Sequence, residues 1–556
     1  MRTTSAIHAN GQPQQRVRRR GFVLLVVTVV VILLSLAAYS YLSEMDTENR
    51  AASMFGRDVE ARMAAESGVE YVAAQIALRQ MDATWAESAS SLDFYDDSAT
   101  FSRQPMGGGE ARGQVRFSVL SPGMVGSLDA LPRAGLTTET AKFNVNKLLE
   151  LENDTDETTD PYTAFSFIPN MSEDICNAIL DWIDSDEETR AGGAESPTYE
   201  TLAVPYSARN APMQSIDELL QVQGVTPQLF YGEDANRNGR LDPNEDDGGE
   251  SPPADDQDGV LDFGLRDYLT VSSQERNVQT TGEKKINLNN GIVAEMFDFL
   301  EESFDTETAT FVTGYRLTGD QLADSQAQGK LTIEQQQLVD WIAKNLANGE
   351  LGKVTRGGMD LSNPPQASFR SIYDLIDAQV AVTVNGADQT LNSPWTSTDP
   401  AGLMEQMLVL EEKLTWLNDE FVDGRINVNI APREVLLAIP DMTEAVADAI
   451  LGARPPAGED SAQAAQVMSM RRSPVWLLTE GLVDVPAFKR LGPWLTTTGD
   501  VYSFQVLGHF DQGGPTTRLE AMVDGTKKPP RIVFQRDLTG LGRGFPPALL
   551  DGRPDD

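Results

Sequence analysis

The sequence predicts an α+β protein in which a long N-terminal transmembrane helix leads into an antiparallel sheet, and a large helical insert interrupts that sheet. Three observations predict it. No charged residue falls between Phe22 and Leu42. Apolar residues alternate with polar ones at 115–119 and again only at 504–523, so one sheet is written in two distant pieces. Between the pieces, an apolar-Asn-apolar-Asn step opens an amphipathic helix three times, near Phe143, Ile286 and Ile426, which marks an internal repeat.

The N-terminus comes first. Arg2, Arg16, Arg18, Arg19 and Arg20 precede the apolar run, and Glu44 and Asp46 follow it. At ~1.5 Å per residue the run spans about 30 Å, the thickness of a bilayer core. The positive-inside rule places the N-terminus in the cytoplasm and the bulk of the chain outside. A cleaved secretory signal has a shorter apolar core, and a plain signal anchor usually leads into a linker. A third reading is a leader, residues 1–21, cut between Gly21 and Phe22 with the helix of 22–42 retained. Phe55, Val59, Met63, Val69, Val72 and Ile76 recur near a 3.6 period, so the helix is expected to continue over 43–81 as one stripe packed on a globular head.

Residues 82–140 form the first part of the β domain. The stretch 82–112, with Gly107, Gly108 and Gly109, reads as a loop, and Val115, Phe117 and Val119 read as a strand. Residues 496–536 complete the sheet, with strands at Phe504 and Val506 and at Leu519, Ala521 and Val523, a turn at Gly513-Gly514 and a third strand in RIVFQ at 531–535. Residues 537–556 look like a loose tail.

The insert is 141–495. FNVNKLLEL, INLNNGIVAEMF and INVNIAPREVLLAIP open its three copies, with Asn146, Asn289 and Asn429 expected as helix N-caps. SEDICNAILDWI, IEQQQLVDWIAKNL and TEAVADAIL follow as helices, and QSIDELLQV, RSIYDLIDA and SPVWLLTEG as shorter ones. These modules are helix-hairpin-helix-like. In a DNA-binding hairpin the turn faces phosphates with basic residues, whereas the turns here, IPNMSED and IPDMTEA, carry acids.

Charge agrees. With 44 basic and 84 acidic residues the net charge is −40, and such a chain is repelled by nucleic acid. Cys176 is the one cysteine, so disulfides and thiolate zinc sites are excluded. It sits beside Ile175, Ile179 and Trp182 on an amphipathic helix and reads as a buried thiol. The two histidines, His8 and His509, offer nothing for a Ser-His-Asp triad; His509 follows a strand and is expected at the surface or in a partner contact rather than in catalysis. No constellation singles out an enzyme.

The metal signal is stronger. Residues 234–245, DANRNGRLDPNE, fit every position of the calcium loop D-x-[DN]-x-[DN]-G-x5-E. Asp234, Asn236 and Asn238 are ligands one, three and five, the Arg240 carbonyl is the seventh, Asp242 binds through water, and Glu245 closes the site. Nothing after Glu245 reads as an exit helix. Within the same region, 233–262, Asp256, Asp258 and Asp262 form a partial second set. A further cluster is Asp184, Asp186 and Glu195. The reading is Ca²⁺ at one or two sites, against solvated acidic loops as the plain alternative.

Taken together, RRRGFVLLVV, AESGVEYVAAQI, GLTTETAKFNVN, DWIDSDEETRAGGAESPTYE, PYSARNAPMQSIDELLQVQGVTPQLFYG, INVNIAPREVLLAIP and the C-terminal hairpin resemble the K-type minor pseudopilin of type II secretion systems. The resemblance covers 18–232 and 424–536; 233–423 is expanded. It implies a pseudopilin-like sheet, a prepilin leader cut by prepilin peptidase, a single-pass inner-membrane protein with its bulk in the periplasm, I- and J-type minor pseudopilins as partners, and calcium in the helical insert. It also implies a non-enzymatic role, capping the tip of the periplasmic pseudopilus in support of protein export. Most pilins carry Glu at the fifth mature position, where this chain has Val26. That acid neutralises the N-terminus of the subunit ahead; a tip subunit has none ahead, and an unpaired carboxylate in the apolar bundle is costly. The alternative is a membrane-anchored periplasmic binding or scaffold protein that never enters a filament. N-terminal sequencing of the membrane-extracted protein is expected to read from Phe22; a chain starting at Met1 or beyond residue 38 contradicts the leader.

Overall fold

The computed structural model describes residues 20–81, 94, 97–106, 114–123, 132–153, 160–322, 336–337, 340–341, 344–345, 354–362, 364–455, 461–511 and 513–550. The chain forms two compact units, Met1–Glu60 and Ala61–Asp556. The first is the N-terminal part of helix α1, Arg20–Met81, which contains no proline. Among the described residues α1 is the helix long and apolar enough to cross a membrane. The hydroxyl of Thr28 donates to the Leu24 carbonyl (2.8 Å), which satisfies it inside the apolar stretch.

In the second unit, the Ala61–Met81 part of α1 lies on an antiparallel sheet of five main strands: β1 (Gln104–Pro105), β2 (Val115–Ser121), β3 (Val501–Phe510), β4 (Thr517–Asp524) and β5 (Arg531–Asp537), in that spatial order. Arg133–Ala134 adds to β2 and Thr137–Thr138 to β3. The strands at 115–119, 504–506, 519–523 and 531–535 are where their alternation places them. The central ladder sets Val119 opposite Val506 and Phe117 opposite Gly508.

The helix stripe divides in two. Val69, Val72 and Ile76 are buried as expected, but Phe55, Val59 and Met63 are 72%, 41% and 52% exposed. Ala61, Ala64 and Ala65 are buried in place of larger residues. The reason is close approach. A Cβ on Gly508 would lie 2.0 Å from the Ala61 carbonyl oxygen, and one on Gly68 would lie 2.5 Å from Val506 Cγ1. Small residues let backbone meet backbone there, so large apolar residues of α1 reach the core only beyond Gly68.

The insert has its own core, running from Phe143 to Leu495. Its three modules share a closure that periodicity did not reveal. The opening strands Phe143–Asn144, Ile286–Asn287 and Ile426–Asn427 each pair in parallel with a Leu-Thr strand at the module's end: Leu269–Thr270, Leu414–Thr415 and Leu495–Thr496. Asn146, Asn289 and Asn429 are not N-caps. Asn144, Asn287 and Asn427 accept from their amides (3.1, 2.8 and 3.0 Å). Their own side-chain amides reach across the module to the carbonyls of Met213, Phe369 and Arg471 (3.0, 2.8 and 2.9 Å). Each of those carbonyls lies two residues before a serine, Ser215, Ser371 or Ser473, whose hydroxyl accepts from an amide at the start of the short helix that follows. The second asparagine thus ties the approach to the short helix back to the start of its module.

Glu173–Ile183, capped by Ser172, and Glu444–Ala453, capped by Thr443, form as expected. The QSIDELLQV and RSIYDLIDA segments are single 3-10 turns, Ile216–Gln221 and Ile372–Leu375. In the second module the helix after Val293–Ser303 is Thr306–Thr318; the expected helix at 333–346 lies mostly outside the described residues, as do Gly107–Gly109. Part of the expected 82–112 loop is ordered as Ser98–Phe101 and β1. The tail is not loose up to Leu550: Phe545 and Leu550 are buried in the sheet's core.

Gly508→Ala is expected to cost about 1–3 kcal/mol by overpacking against the Ala61 carbonyl, whereas Gly56→Ala, with open space around it, is expected to cost nothing. Urea unfolding of the detergent-solubilised chain compares the two.

Candidate metal sites

Gly21 and Phe22 lie in the first turns of α1, and Val26 is on an exposed helix surface. Arg2, Arg16, Arg18 and Arg19 are outside the described residues.

The 234–245 loop follows a helical turn, Pro227–Tyr231. A bridge between Gly232 and Phe263 and the Glu233 N–H to Asp262 O bond (2.8 Å) pinch its base. Asp234 accepts from the amides of Asn238 (3.0 Å) and Gly239 (2.7 Å). Glu245 accepts from the amides of Asn236 (3.3 Å) and Asp242 (3.0 Å). Asp242 accepts from the side-chain amides of Asn236 (2.6 Å) and Asn238 (2.9 Å), and the Arg240 amide donates to Asn238 Oδ1 (2.7 Å). Asp234, Asn236, Asn238, Asp242 and Glu245 are therefore joined in one ring of hydrogen bonds. Gly239 turns at φ 69°, and the chain after Glu245 bends through turns rather than entering a helix. Asp234, Asn238 and Glu245 are 7%, 0% and 1% exposed. Burial raises the Asp234 carboxyl and pushes Glu245 up to about 7. Asn236 Oδ1 is buried with no donor.

The partial second set does not assemble. Asp256 and Asp258 are exposed, and each carboxylate caps an amide two residues on (3.1 and 2.8 Å). The Asp262 amide donates to Glu233 (3.1 Å). These acids make consecutive local turns, which is what their spacing serves.

The third cluster is real with one member exchanged. Carboxylate oxygens of Asp181, Asp184 and Glu195 lie within 4.8 Å of one another. Asp186 instead caps the Glu188 amide (2.8 Å). Asp181 was missed in the sequence because it sits inside the helix Glu173–Ile183, one turn before its end, where its helical face is fully buried; an acid on the buried side beside Trp182 was the available signal. Arg190 donates to Asp181 (2.7 Å) and Asp184 (2.5 Å) and also reaches Glu152. Glu195 is 0% exposed, and both of its carboxylate oxygens lack a donor. Burial, then the charges of Asp181 and Asp184, push it up to about 7.

Two other expectations resolve. Cys176 is fully buried, and burial pushes its thiol up to about 12. His509 is not at the surface: it points into the sheet beside Ser118, Oγ to Nε2 3.1 Å, and burial pulls it down to about 4.

Residues 141–231 match the family model for type II secretion system (T2SS) protein K. A type II secretion system protein K of Pectobacterium carotovorum subsp. carotovorum is 36% identical over 98 residues, 16% of this chain and 30% of that protein, so the match spans less than a third of the relative's length. A chain in the crystal structure of the GspK-GspI-GspJ complex from the type 2 secretion system of enterotoxigenic Escherichia coli aligns over 88% of this chain and 99% of its own length, with a TM-score of 0.32 and 10% identity. The segment similar to the type II secretion system protein K family is thus residues 141–231, within the first module of the insert, and it holds the Asp181–Asp184–Glu195 cluster.

Proposed function

We propose that the protein is the K-type minor pseudopilin of a type II secretion system and caps the tip of a periplasmic pseudopilus. The observation that carries the reading is the setting of the matched segment: the protein K domain is inserted into a sheet that packs on the continuation of an apolar N-terminal helix. In this reading prepilin peptidase cuts after Gly21, the helix stays in the inner membrane with its N-terminus cytoplasmic, and I- and J-type minor pseudopilins pack beside it. The three insert modules are helix-hairpin-helix-like scaffolding that makes the head too bulky for a shaft position. Val26 fits a subunit with nothing ahead of it.

Tagged full-length protein extracted from membranes is expected to bring I- and J-type pseudopilins with it, and gold label on assembled filaments is expected at one end. Label spread evenly along filaments contradicts the tip role; a chain that purifies alone with residue 21 uncut supports the anchored scaffold instead. Val26→Glu is expected to lower or leave unchanged the protein exported, never to raise it, because the acid must be buried without a partner.

Calcium belongs to the same reading. The buried, donorless oxygens of Glu195 beside Asp181 and Asp184 suit a hard divalent cation, which supplies the positive charge that Arg190 gives to only two of the three. Extracellular-type sites bind at roughly 10⁻⁴–10⁻³ M, and calcium at ten times the dissociation constant adds about 1.4 kcal/mol of stability. Thermal unfolding is expected a few degrees higher in calcium than in EDTA. Glu195→Gln is expected to match or exceed the wild type in EDTA, having lost a buried repulsion, and to gain less from calcium.

A further inference from the structure

We propose that the 234–245 loop is a second calcium site, outside the matched protein K segment, and that the ion bound there clasps the helical insert to the β-sheet.

The ligand set is the first support. Asp234, Asn236, Asn238, the Arg240 carbonyl, Asp242 and Glu245 fill every position of a hard-cation loop. A second observation points to an absent cation. Asp234 and Glu245 are buried carboxylates whose hydrogen bonds come from backbone amides, and among the described residues neither forms an ion pair. Buried charges are ordinarily paired or bound to metal. Arg518, whose charge acts on Asp234, spends its hydrogen bonds on the carbonyls of Asn236 and Gly542. Asn236 Oδ1, at the third ligand position, is a buried acceptor that nothing donates to. An ion in the ring supplies a partner to all three groups at once.

What the loop touches gives the ion a role. Gln505 of β3 donates to the Arg237 carbonyl (2.7 Å), and Arg518 of β4 donates to the Asn236 carbonyl. Asn238 donates to the Gly544 carbonyl (2.6 Å), tying in the segment after β5. Gly239 presses on the backbone just after β2, where a Cβ would lie 2.2 Å from the Gly123 nitrogen. Two strands, the segment after β2 and the C-terminal segment thus converge on the four residues from Asn236 to Gly239. Next to them the joint is hollow: a cavity of about 210 Å³ lies among Asp234, Arg237, Ser503, Gln505 and Glu520. Elsewhere around it, insert and sheet are joined by the ion pairs Arg266–Glu520 and Arg536–Asp217. The carbonyls that the sheet holds belong to residues whose side chains or immediate neighbours are ligands, so fixing the ring fixes the contact.

Hydrogen–deuterium exchange of the full chain in detergent, with calcium chloride or with EDTA, tests this without any variant. Calcium is expected to slow exchange at least tenfold in peptides covering 234–245 and also in those covering 501–510, 517–524 and 540–545. Asp234→Asn with Glu245→Gln is expected to abolish both effects, while Glu195→Gln, at the other cluster, leaves both in place. Gln505→Ala is expected to keep calcium protection of the loop and weaken it in the strands. Calcium heats in calorimetry that are unchanged by the Asp234/Glu245 pair overturn the site. Protection confined to 234–245 overturns the clasp. Loss of calcium protection at the loop in Glu195→Gln assigns the ion to the other cluster and overturns the proposal, whether or not the protein enters a pseudopilus.

Discussion

The ladder between β2 and β3 is the interaction on which the rest depends. Ser118 and His509 are hydrogen-bonded across it although 391 residues separate them. Such a pairing forms only if everything between returns to its starting point. Loop-closure entropy grows slowly with length, each doubling costing only about 0.6 kcal/mol, so a long excursion is tolerable provided it folds on itself. The insert meets that condition at its neck: the Thr140 hydroxyl donates to the Thr498 carbonyl (2.8 Å), setting entry against exit. The strand pair Thr137–Thr138 with β3 continues the same closure into the sheet.

The same constraint repeats inside the insert at smaller scale. Each module begins on a two-residue strand and ends beside it on Leu-Thr, so each returns the chain to where it began. Modules built this way can be strung in series without disturbing the neck. The antiparallel pairing of Gln274–Arg276 with Phe421–Asp423 then brackets the second module. This accounts for how the expanded stretch 233–423 fits between two halves of one sheet: much of it is a self-closing unit added where a chain already doubled back.

How much was legible follows from the length over which each signal acts. Strands of seven to ten residues, β2, β3, β4 and β5, announce themselves by alternation, and the apolar start of α1 by its composition. The repeat was legible as a motif because asparagines at fixed spacing stand out. Their role was not, because a side chain that bonds a carbonyl 67, 80 or 42 residues away looks locally identical to an N-cap. The Leu-Thr closures were invisible for the complementary reason: two residues carry no period. The burial of Ala61 and Ala65 in place of larger residues was not legible, since what decides it is the glycine opposite, Gly508, on a strand written far downstream. At the candidate metal sites the 234–245 residues were legible one by one, because the motif is contiguous; Asp181 was not, because its membership depends on where Glu195 folds back.

The distribution of counter-charges separates the first module from the other two. Further along the insert the buried acids Glu275 and Asp320 have basic partners, Arg425 (2.8 Å) and Lys489 (3.1 Å). Breaking such a pair costs several kcal/mol because a charge is left buried alone. In and just after the first module, Glu195, Glu245 and Asp234 are also buried (0%, 1% and 7% exposed) yet have no basic side chain in an ion pair among the described residues. A chain with 84 acidic and 44 basic residues cannot pair every acid internally, but scarcity alone would leave the unpaired acids in water. These are instead enclosed in the fold, Glu195 and Glu245 being 0% and 1% exposed. A carboxylate buried without a counter-charge is either neutral or held by a cation from solution, and the proposed calcium is the second of these.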